Sequence, residues 1–327
     1  MKYFATTHAM RCLISTPLTA MPFLARSVFA FLFAALLATG ANAQTPRAAH
    51  VFIISFDQAA PSNIATADMP LFKAMAAEGA HTWEAYTVVP SLTLPSHTSM
   101  LTGVGVQKHQ ITWNEWDATK PLAVPTIFQL AKAQGLRTAI VASKSKFKTF
   151  EQVGGLDTFV IPANFYCNGI AAAVAEVLKK ETPALFFIHF GDPDFTGHKF
   201  GVNSPEKIKA LAECDAALKV IRDAIAAAGI ADSSVIILTA DHGGHDRSRA
   251  ELDEMIRRGQ APQIGTHGDA SSGDVIIPWV VWGKGVKPGF TVTAPVVQYD
   301  TAATALWLLG VPLPENFWGR PVVSAFE

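Results

Sequence analysis

Three carboxylates and three imidazoles recur in this chain in short contexts that suit metal binding. Asp57 closes the apolar run HVFIISF. Asp194 closes Gly191-Asp192-Pro193-Asp194 after ALFFIHF, with His198 four residues beyond it. Asp241 and His242 follow SVIILT, and His267 lies in Gly265-Thr266-His267-Gly268, just ahead of VIIPWVVW. Taken singly, an aspartate after a strand is commonly a turn or cap residue, and an Asp-His pair before two glycines is commonly a loop. Brought together, three aspartates and three histidines repel one another or lose hydration at high cost unless cations neutralise them. Carboxylate oxygen with imidazole nitrogen suits zinc, with manganese or iron as further divalent options. One zinc needs only three or four such groups, so six with a hydroxyl suit two ions. Single histidines such as His81, His97, His109 and His189 read as structural or solvated.

The hydroxyl comes from Pro-Ser-Leu-Thr-Leu-Pro-Ser-His-Thr at 90–98. Pro95 reads as the first residue of a helix that runs to Thr102 and stops at Gly103. Thr93 then stands just before the helix, where free N–H groups and the positive dipole end favour an anion. A metal-bound hydroxyl there ionises near neutral pH and can attack phosphorus. Position alone leaves Thr93 level with Ser91 and Ser96, and a capping role suits any of the three.

The elements that must position these groups are apolar, β-branched and aromatic runs at 50–56, 137–142, 184–190, 234–239 and 275–282, which carry the signature of buried parallel strands. Helical stretches lie between them. The clearest has Ser204 as N-cap, Pro205 at its first position, Glu206 in the first turn, an apolar stripe from Ile208 to Ile225, and Gly229 to stop it. Strands alternating with helices imply an α/β, doubly wound, mostly parallel sheet with helices on both faces. Ligands of such sheets bind beyond the carboxyl ends of the strands, where the Asp and His groups fall. The charged stretch from Asp246 to Gln260 reads as a lid or loop beside them, with Arg247 and Arg249 on a solvated face.

The chain of 327 residues, 50% hydrophobic and 16% charged, suits one large α/β domain. Residues 27–39, SVFAFLFAALLAT, follow Arg26 and precede Ala41-Asn42-Ala43, the pattern of a secretory signal peptide cleaved after Ala43. The run is shorter than the roughly 18–20 apolar residues a membrane span needs. The long segment before Met21 leaves Met1 and Met21 as alternative starts. Residues 44–327 then form a single catalytic domain, secreted or periplasmic. Residues 1–43 hold Lys2, Arg11 and Arg26 and no acid; the remainder has 23 basic and 27 acidic residues, a formal charge of −4. That balance offers no footprint for nucleic acid and no attraction to an anionic membrane. Cys167 and Cys214 form either one disulfide or two buried thiols.

The ordered fragments VFIISFDQ, PSLTLPSHTSMLTG, HQITWNEWD, DPDFTGHKFG, TADHGG and GTHG, closing with TAATALWLLGVPLPENFWGRPV, resemble the alkaline phosphatase superfamily. They are most similar to its nucleotide pyrophosphatase/phosphodiesterases and single-threonine alkaline phosphatases. The resemblance implies one zinc held by Asp57, Asp241, His242 and the Thr93 oxygen, and a second held by Asp194, His198 and His267. It makes Thr93 the nucleophile of a phosphothreonine mechanism and Asn114 a donor to a phosphoryl oxygen. Gln58 and Gln110 stand where the family favours glycine, and Ser96 where it often has asparagine. Thr93-Leu94-Pro95-Ser96-His97 lacks the cysteine or serine and the arginine of the sulfatase motif.

Lys144 and Lys146 resemble the Lys-x-Arg pair with which monoesterases of this branch bind a dianionic phosphate. The implied activity is therefore a two-zinc hydrolase of small phosphate monoesters. The alternative is a phosphodiesterase or nucleotide pyrophosphatase, and a third reading is a catalytically inactive secreted binding protein.

Overall fold

The apolar runs build one twisted sheet, seen in a computed structural model that describes residues 45–327; the expected leader at 1–43 lies outside the described residues. The strands are β1 His50–Phe56, β2 Ala80–Tyr86, β3 Thr138–Ala142, β4 Thr158–Val160, β5 Leu185–Phe190, β6 Ser234–Thr239, β7 His245–Asp246, β8 Gly265–Thr266, β9 Ile276–Gly283 and β10 Phe290–Thr291. Eight of them pair in the order β10-β2-β9-β6-β1-β5-β3-β4, and β7 pairs with β8 apart from that sheet. The helices used below are α1 Pro61–Thr66, α2 Pro70–Glu78, α3 Thr93–Thr102, α4 Ile127–Ala133, α5 Cys167–Leu178, α6 Asp192–Phe200, α7 Pro205–Ala227, α8 Arg249–Arg257 and α9 Asp300–Leu308. This is the expected α/β, mostly parallel architecture.

β2, β4 and β10 join the five expected strands, and one of those five departs in direction. The run read as a last parallel strand, β9, is antiparallel to both β6 and β2. A strand buried on both faces is apolar throughout, so its pattern carries no direction. The direction matters to the site. Thr239 pairs with Trp279 and Val235 with Gly283, so β9 begins at the carboxyl edge of β6. His267, which precedes β9, therefore arrives at the same edge as the residues that follow β1, β5 and β6.

Register levels the other groups. Ser55 pairs with Thr239, so Asp57 and Asp241 emerge side by side, two residues beyond that pair. Phe56 pairs with Phe190, and the Asp57 N–H donates to Phe190 O at 2.9 Å, which sets the start of α6 beside them. Under this edge the core is aromatic. Phe52, Phe56, Phe186, Phe187, Phe190 and Trp279 are fully buried, and Phe56 makes edge contacts with Phe72 and Phe190. Burying each such ring stabilises the fold by roughly 2–3 kcal/mol, which makes the edge a rigid platform.

α7 forms as its caps dictate. The Ser204 hydroxyl accepts from Lys207 N–H at 3.2 Å, Pro205 opens the first turn, and Gly229 follows with φ +71°. α3 starts at Thr93, two residues earlier than expected, so Thr93 lies within the first turn. Pro95 is tolerated at its third position because first-turn N–H groups have no partner one turn back.

His109 is a structural residue, as expected. It is buried, accepting from Ile111 N–H at 3.0 Å and donating to Ser99 Oγ at 2.9 Å. Burial lowers its imidazole from 6.5 to about 4. The group is protonated first in the unfolded chain, so the stability it contributes is complete above pH 6.5 and is lost as pH falls towards 4. His109→Gln should flatten the acid limb of a urea-denaturation series between those values, by up to about 3 kcal/mol. An unchanged limb would show that His109 is not a source of acid sensitivity.

Candidate active site

The residues expected to bind metal converge, with Thr93, at the carboxyl edge of the sheet. Asp57, Asp241 and His242 form one cluster, and Asp194, His198 and His267 form a second; within each, a ligand atom from every member lies within 4.8 Å of the others. Thr93 Oγ1 stands 3.4 Å from His242 Nε2 and 3.5 Å from Lys144 Nζ. Lys144 Nζ in turn lies 2.5 Å from Asp57 Oδ2 and 2.6 Å from Asp194 Oδ2, so it ties the clusters together. Asp192, two residues from Asp194, takes no part: its Oδ1 accepts from Cys167 N–H at 3.1 Å.

The donors fit divalent ions on three counts. Asp57 Oδ1, Asp194 Oδ1 and Asp241 Oδ2 are buried oxygens that accept no hydrogen bond, and such oxygens are costly unless a cation faces them. Each candidate histidine donates its Nδ1–H to a backbone carbonyl at 2.9 Å: His198 to Gly265, His242 to Gly243, His267 to Ser91. That bond fixes the tautomer with the Nε2 lone pair turned to the aspartates, the arrangement of metal-ligating histidines. Finally, His267 Nε2 and His198 Nε2 lie 3.2 Å apart and converge on Asp194 Oδ1. Mixed carboxylate and imidazole donors suit zinc.

Electrostatics agree with a pocket built for positive charge. Burial by itself depresses the His242 imidazole, yet Asp241 beside it raises the group to about 9. Burial also disfavours the Lys144 ammonium, but Asp194, Asp57 and Asp241 raise its pKa above the ordinary lysine value. Asp194 and Asp241 are buried and still held well below the usual carboxylate range, Asp194 chiefly by Lys144 and Asp241 chiefly by His242.

α3 contributes its first turn. Leu94 N–H donates to Asn114 Oδ1 at 2.8 Å, and Pro95 has no N–H. The Asn114 amide therefore presents its NH2 end as the donor. Thr93, Asn114, Lys144, Lys146, His198 and His267 line an open cleft of about 780 Å³. Phe165, Tyr166 and Phe195 line it too, with Phe165 edge-on to Phe195 at 5.7 Å. Lys146 Nζ lies 3.7 Å from Glu115 Oε1. The expected lid is α8, an exposed helix; from its approach Arg247 reaches the cleft, while Arg249 pairs with Asp253 in solvent.

Two histidines read as structural or solvated lie directly beneath the clusters. His189 Nε2 donates to Asp57 Oδ2 at 2.9 Å. His97, lowered to about 4 by burial, is neutral; its Nδ1–H donates to Thr93 O and its Nε2 accepts from Ser55 Oγ, both at 2.8 Å. They orient Asp57 and Thr93. The signal available in sequence was the placement of His189 one residue from the end of β5, level with Ser55.

A buried lysine had no sequence signal. Lys207 on α7 is fully buried, donating from Nζ to Gln58 O at 2.7 Å and Gln58 Oε1 at 2.8 Å. Gln58 has φ +62° and Gln110 φ +61°, so both departures from the family's glycine fall on left-handed backbone, where a side chain costs roughly 1 kcal/mol. The Gln58 backbone N–H donates to Asp241 Oδ1 at 3.1 Å. Gly197 makes room for it: a Cβ there would lie 1.9 Å from Gln58 Oε1.

Residues 51–287, which include both clusters, match the family model for type I phosphodiesterase / nucleotide pyrophosphatase. The chain belongs to that family. It is 25% identical over 230 residues to mouse (Mus musculus) ectonucleotide pyrophosphatase/phosphodiesterase family member 7, an alignment covering 63% of this chain and 52% of that protein. The human GPI ethanolamine phosphate transferase 2 catalytic subunit is 25% identical over 271 residues, covering 79% and 26%. A venom phosphodiesterase of Macrovipera lebetinus is 28% identical over 211 residues, covering 57% and 24%. The chain thus spans about half the length, or less, of these curated relatives. A murine ectonucleotide pyrophosphatase / phosphodiesterase 5 structure in complex with AMP superposes with a TM-score of 0.72 at 16% identity, covering 85% of this chain and all of the other. The human protein gives 0.73, with the same identity and coverage. The alkaline phosphatase-like fold expected from sequence is the one these family members share.

Lys207→Met should destabilise the protein by about 3 kcal/mol in urea, because two Gln58 acceptors lose a buried charged donor. Adding Gln58→Gly should restore roughly 1 kcal/mol by removing the left-handed strain. A loss below ~0.5 kcal/mol for Lys207→Met would mean that the lysine is incidental.

Proposed function

We propose that this chain is an exported phosphoester hydrolase that acts on phosphodiesters through Thr93. The observation that carries the reading is the Thr93 hydroxyl standing against two Asp/His clusters whose buried carboxylate oxygens accept no hydrogen bond. Asp57, Asp241 and His242, with Thr93 Oγ1, would hold one divalent ion, zinc first among them. Asp194, His198 and His267 would hold the other. Bound there, the ions supply Lewis-acid charge that favours the alkoxide form of a hydroxyl and offsets charge on phosphoryl oxygens.

The chain's own groups supply the rest. Thr93 Oγ1 forms a bond to phosphorus while the leaving alcohol departs on the opposite side, and water then cleaves the phosphothreonine. Asn114 donates to an equatorial oxygen, and the Thr93 N–H at the dipole end of α3 adds a second donor. His97 holds the Thr93 carbonyl in place, and so fixes where the nucleophile points.

Family membership and the relatives named as phosphodiesterases support the diester reading over the monoester expectation. So does the cleft. Lys144 is engaged by Asp57 and Asp194, and Lys146 faces Glu115, so neither reads as a dedicated partner of a dianion. The aromatic wall of Phe165, Tyr166 and Phe195 offers a surface for a second esterifying group.

The zinc-loaded chain should show kcat/KM at least ~10-fold higher on bis-p-nitrophenyl phosphate than on p-nitrophenyl phosphate. Thr93→Ala should lose on the order of 10³-fold or more on both, and Asn114→Ala roughly 10²-fold. Monoester preference that collapses in Lys144→Ala would return the protein to the phosphatase reading, and full activity in Thr93→Ala would remove the nucleophile.

Export is part of the proposal, with residues 1–43 as the leader and 44–327 as the mature catalytic domain. N-terminal mass spectrometry of protein recovered from the periplasm or medium should give Gln44 as the first residue. Retention of the apolar run at 27–39 would contradict it.

A further inference from the structure

Away from the active site, three helices bring their starts and flanks together around sulfur. Cys167 is the first residue of α5, Asp192 the first residue of α6, and Cys214 lies in the middle of α7. All three are buried. Both sulfurs and an Asp192 oxygen lie within 4.8 Å of one another. The Asp192 carboxylate accepts from Cys167 twice, from N–H at 3.1 Å and from Sγ at 3.3 Å, while its other oxygen has no donor. A cavity of about 570 Å³ opens onto Cys167, with Asn164, Tyr166 and Asn168 around it. Among the described residues these are the only two cysteines, and each is a free thiol.

We propose that Cys167 and Cys214 are joined as a disulfide in the exported protein, a covalent clamp across α5 and α7 that braces the first turn of α6. It rests on the export proposed above, which places the thiols in an oxidising compartment. The geometry favours the bond: α5 and α7 pack directly against each other, and the two buried sulfurs lie within 4.8 Å. A metal is a poorer occupant. Closed structural zinc sites take four ligands, whereas this cluster offers three, and one of its carboxylate oxygens already accepts two hydrogen bonds.

The chemistry is thiol–disulfide exchange with a disulfide-bearing oxidant. Cys167, which lines the cavity, attacks the oxidant; one oxidant sulfur leaves as a thiol and the other stays bound to Cys167. Cys214 then displaces that second sulfur, and the protons of both cysteines end on the released thiols. Two electrons pass from the protein to the oxidant. Burial pushes the Cys214 thiol up, which agrees with Cys167 attacking first.

The consequence reaches the active site through α6. This helix opens with Asp192 against the sulfur pair, carries Asp194 in the same first turn and His198 in the second. A bond between α5 and α7 holds that first turn from both sides. The Asp194/His198/His267 set is therefore the one that should loosen without it.

The test is alkylation of the exported protein with iodoacetamide in denaturant, with and without prior reduction, followed by peptide mass spectrometry. The expected result is no label without reductant and label on both cysteines after it. The Cys167→Ser/Cys214→Ser variant should melt several degrees lower and surrender one of two zinc ions to chelator at least ~10-fold faster. Label on both cysteines in unreduced exported protein overturns the proposal, as does label that appears only after chelation, which would mark a zinc–thiolate site. A leaderless chain incubated with oxidised glutathione separates this from the export reading. Bond formation there upholds the pair even if export fails, and two free thiols there overturn it.

Discussion

The burial of three aspartates at one edge of the sheet is the constraint that the rest of this structure answers. Asp57, Asp194 and Asp241 are almost entirely removed from solvent. Two like unit charges about 4 Å apart repel by roughly 4 kcal/mol at an effective dielectric near 20, which is comparable with much of the stability of a whole domain. The fold answers from several sides. Lys144 enters from the loop after β3 and bridges Asp57 to Asp194, while Lys207 rises from α7 beneath the Asp57 turn. Three histidines complete the ring, their tautomers set by backbone carbonyls. Asp57 Oδ1, Asp194 Oδ1 and Asp241 Oδ2 still have no donor.

The histidines beneath the edge have a different task. His97 is buried and uncharged, so it adds no countercharge; it links Ser55 on β1 to the Thr93 carbonyl and locks the first turn of α3 onto the sheet. His189 does the same for Asp57. Both pack edge-on to one another, and against Phe147, in the aromatic floor. Thr93 is thus carried on a helix start whose position the core decides, so a substitution in that floor would be felt at Thr93 without touching it.

The departures from family pattern show how a chain absorbs an unfavourable residue. Gln58 and Gln110 both occupy left-handed backbone that glycine adopts freely. At Gln58 the strain is offset by two hydrogen bonds from a fully buried lysine, and Gly197 leaves space for the glutamine side chain. Burial lowers Lys207 to about 8 against the pull of Asp194, Asp57, Asp246 and Asp241, so the ammonium form persists near neutral pH. The lysine, the glutamine and the glycine form one unit, and through the Gln58 N–H it sets the orientation of Asp241.

Much of the site was legible because it lies in short motifs at strand ends. Asp57, Asp194, Asp241, His242 and Thr93 follow or adjoin runs whose strand or helix character is local, and the caps of α7 are local too. The sequence by itself therefore determined five of the eight strands of the main sheet, the mostly parallel α/β class and the Asp and His residues that form the two clusters. Tertiary structure alone decided the direction of β9, since a doubly buried strand reads the same either way, and with it the arrival of His267. It alone decided that His97, His189 and Lys207 support the site, because a buried polar side chain is identified by its partners, and those lie up to 149 positions away in the chain. It also placed Cys167 against Cys214, where helix packing rather than sequence spacing sets the distance between sulfurs.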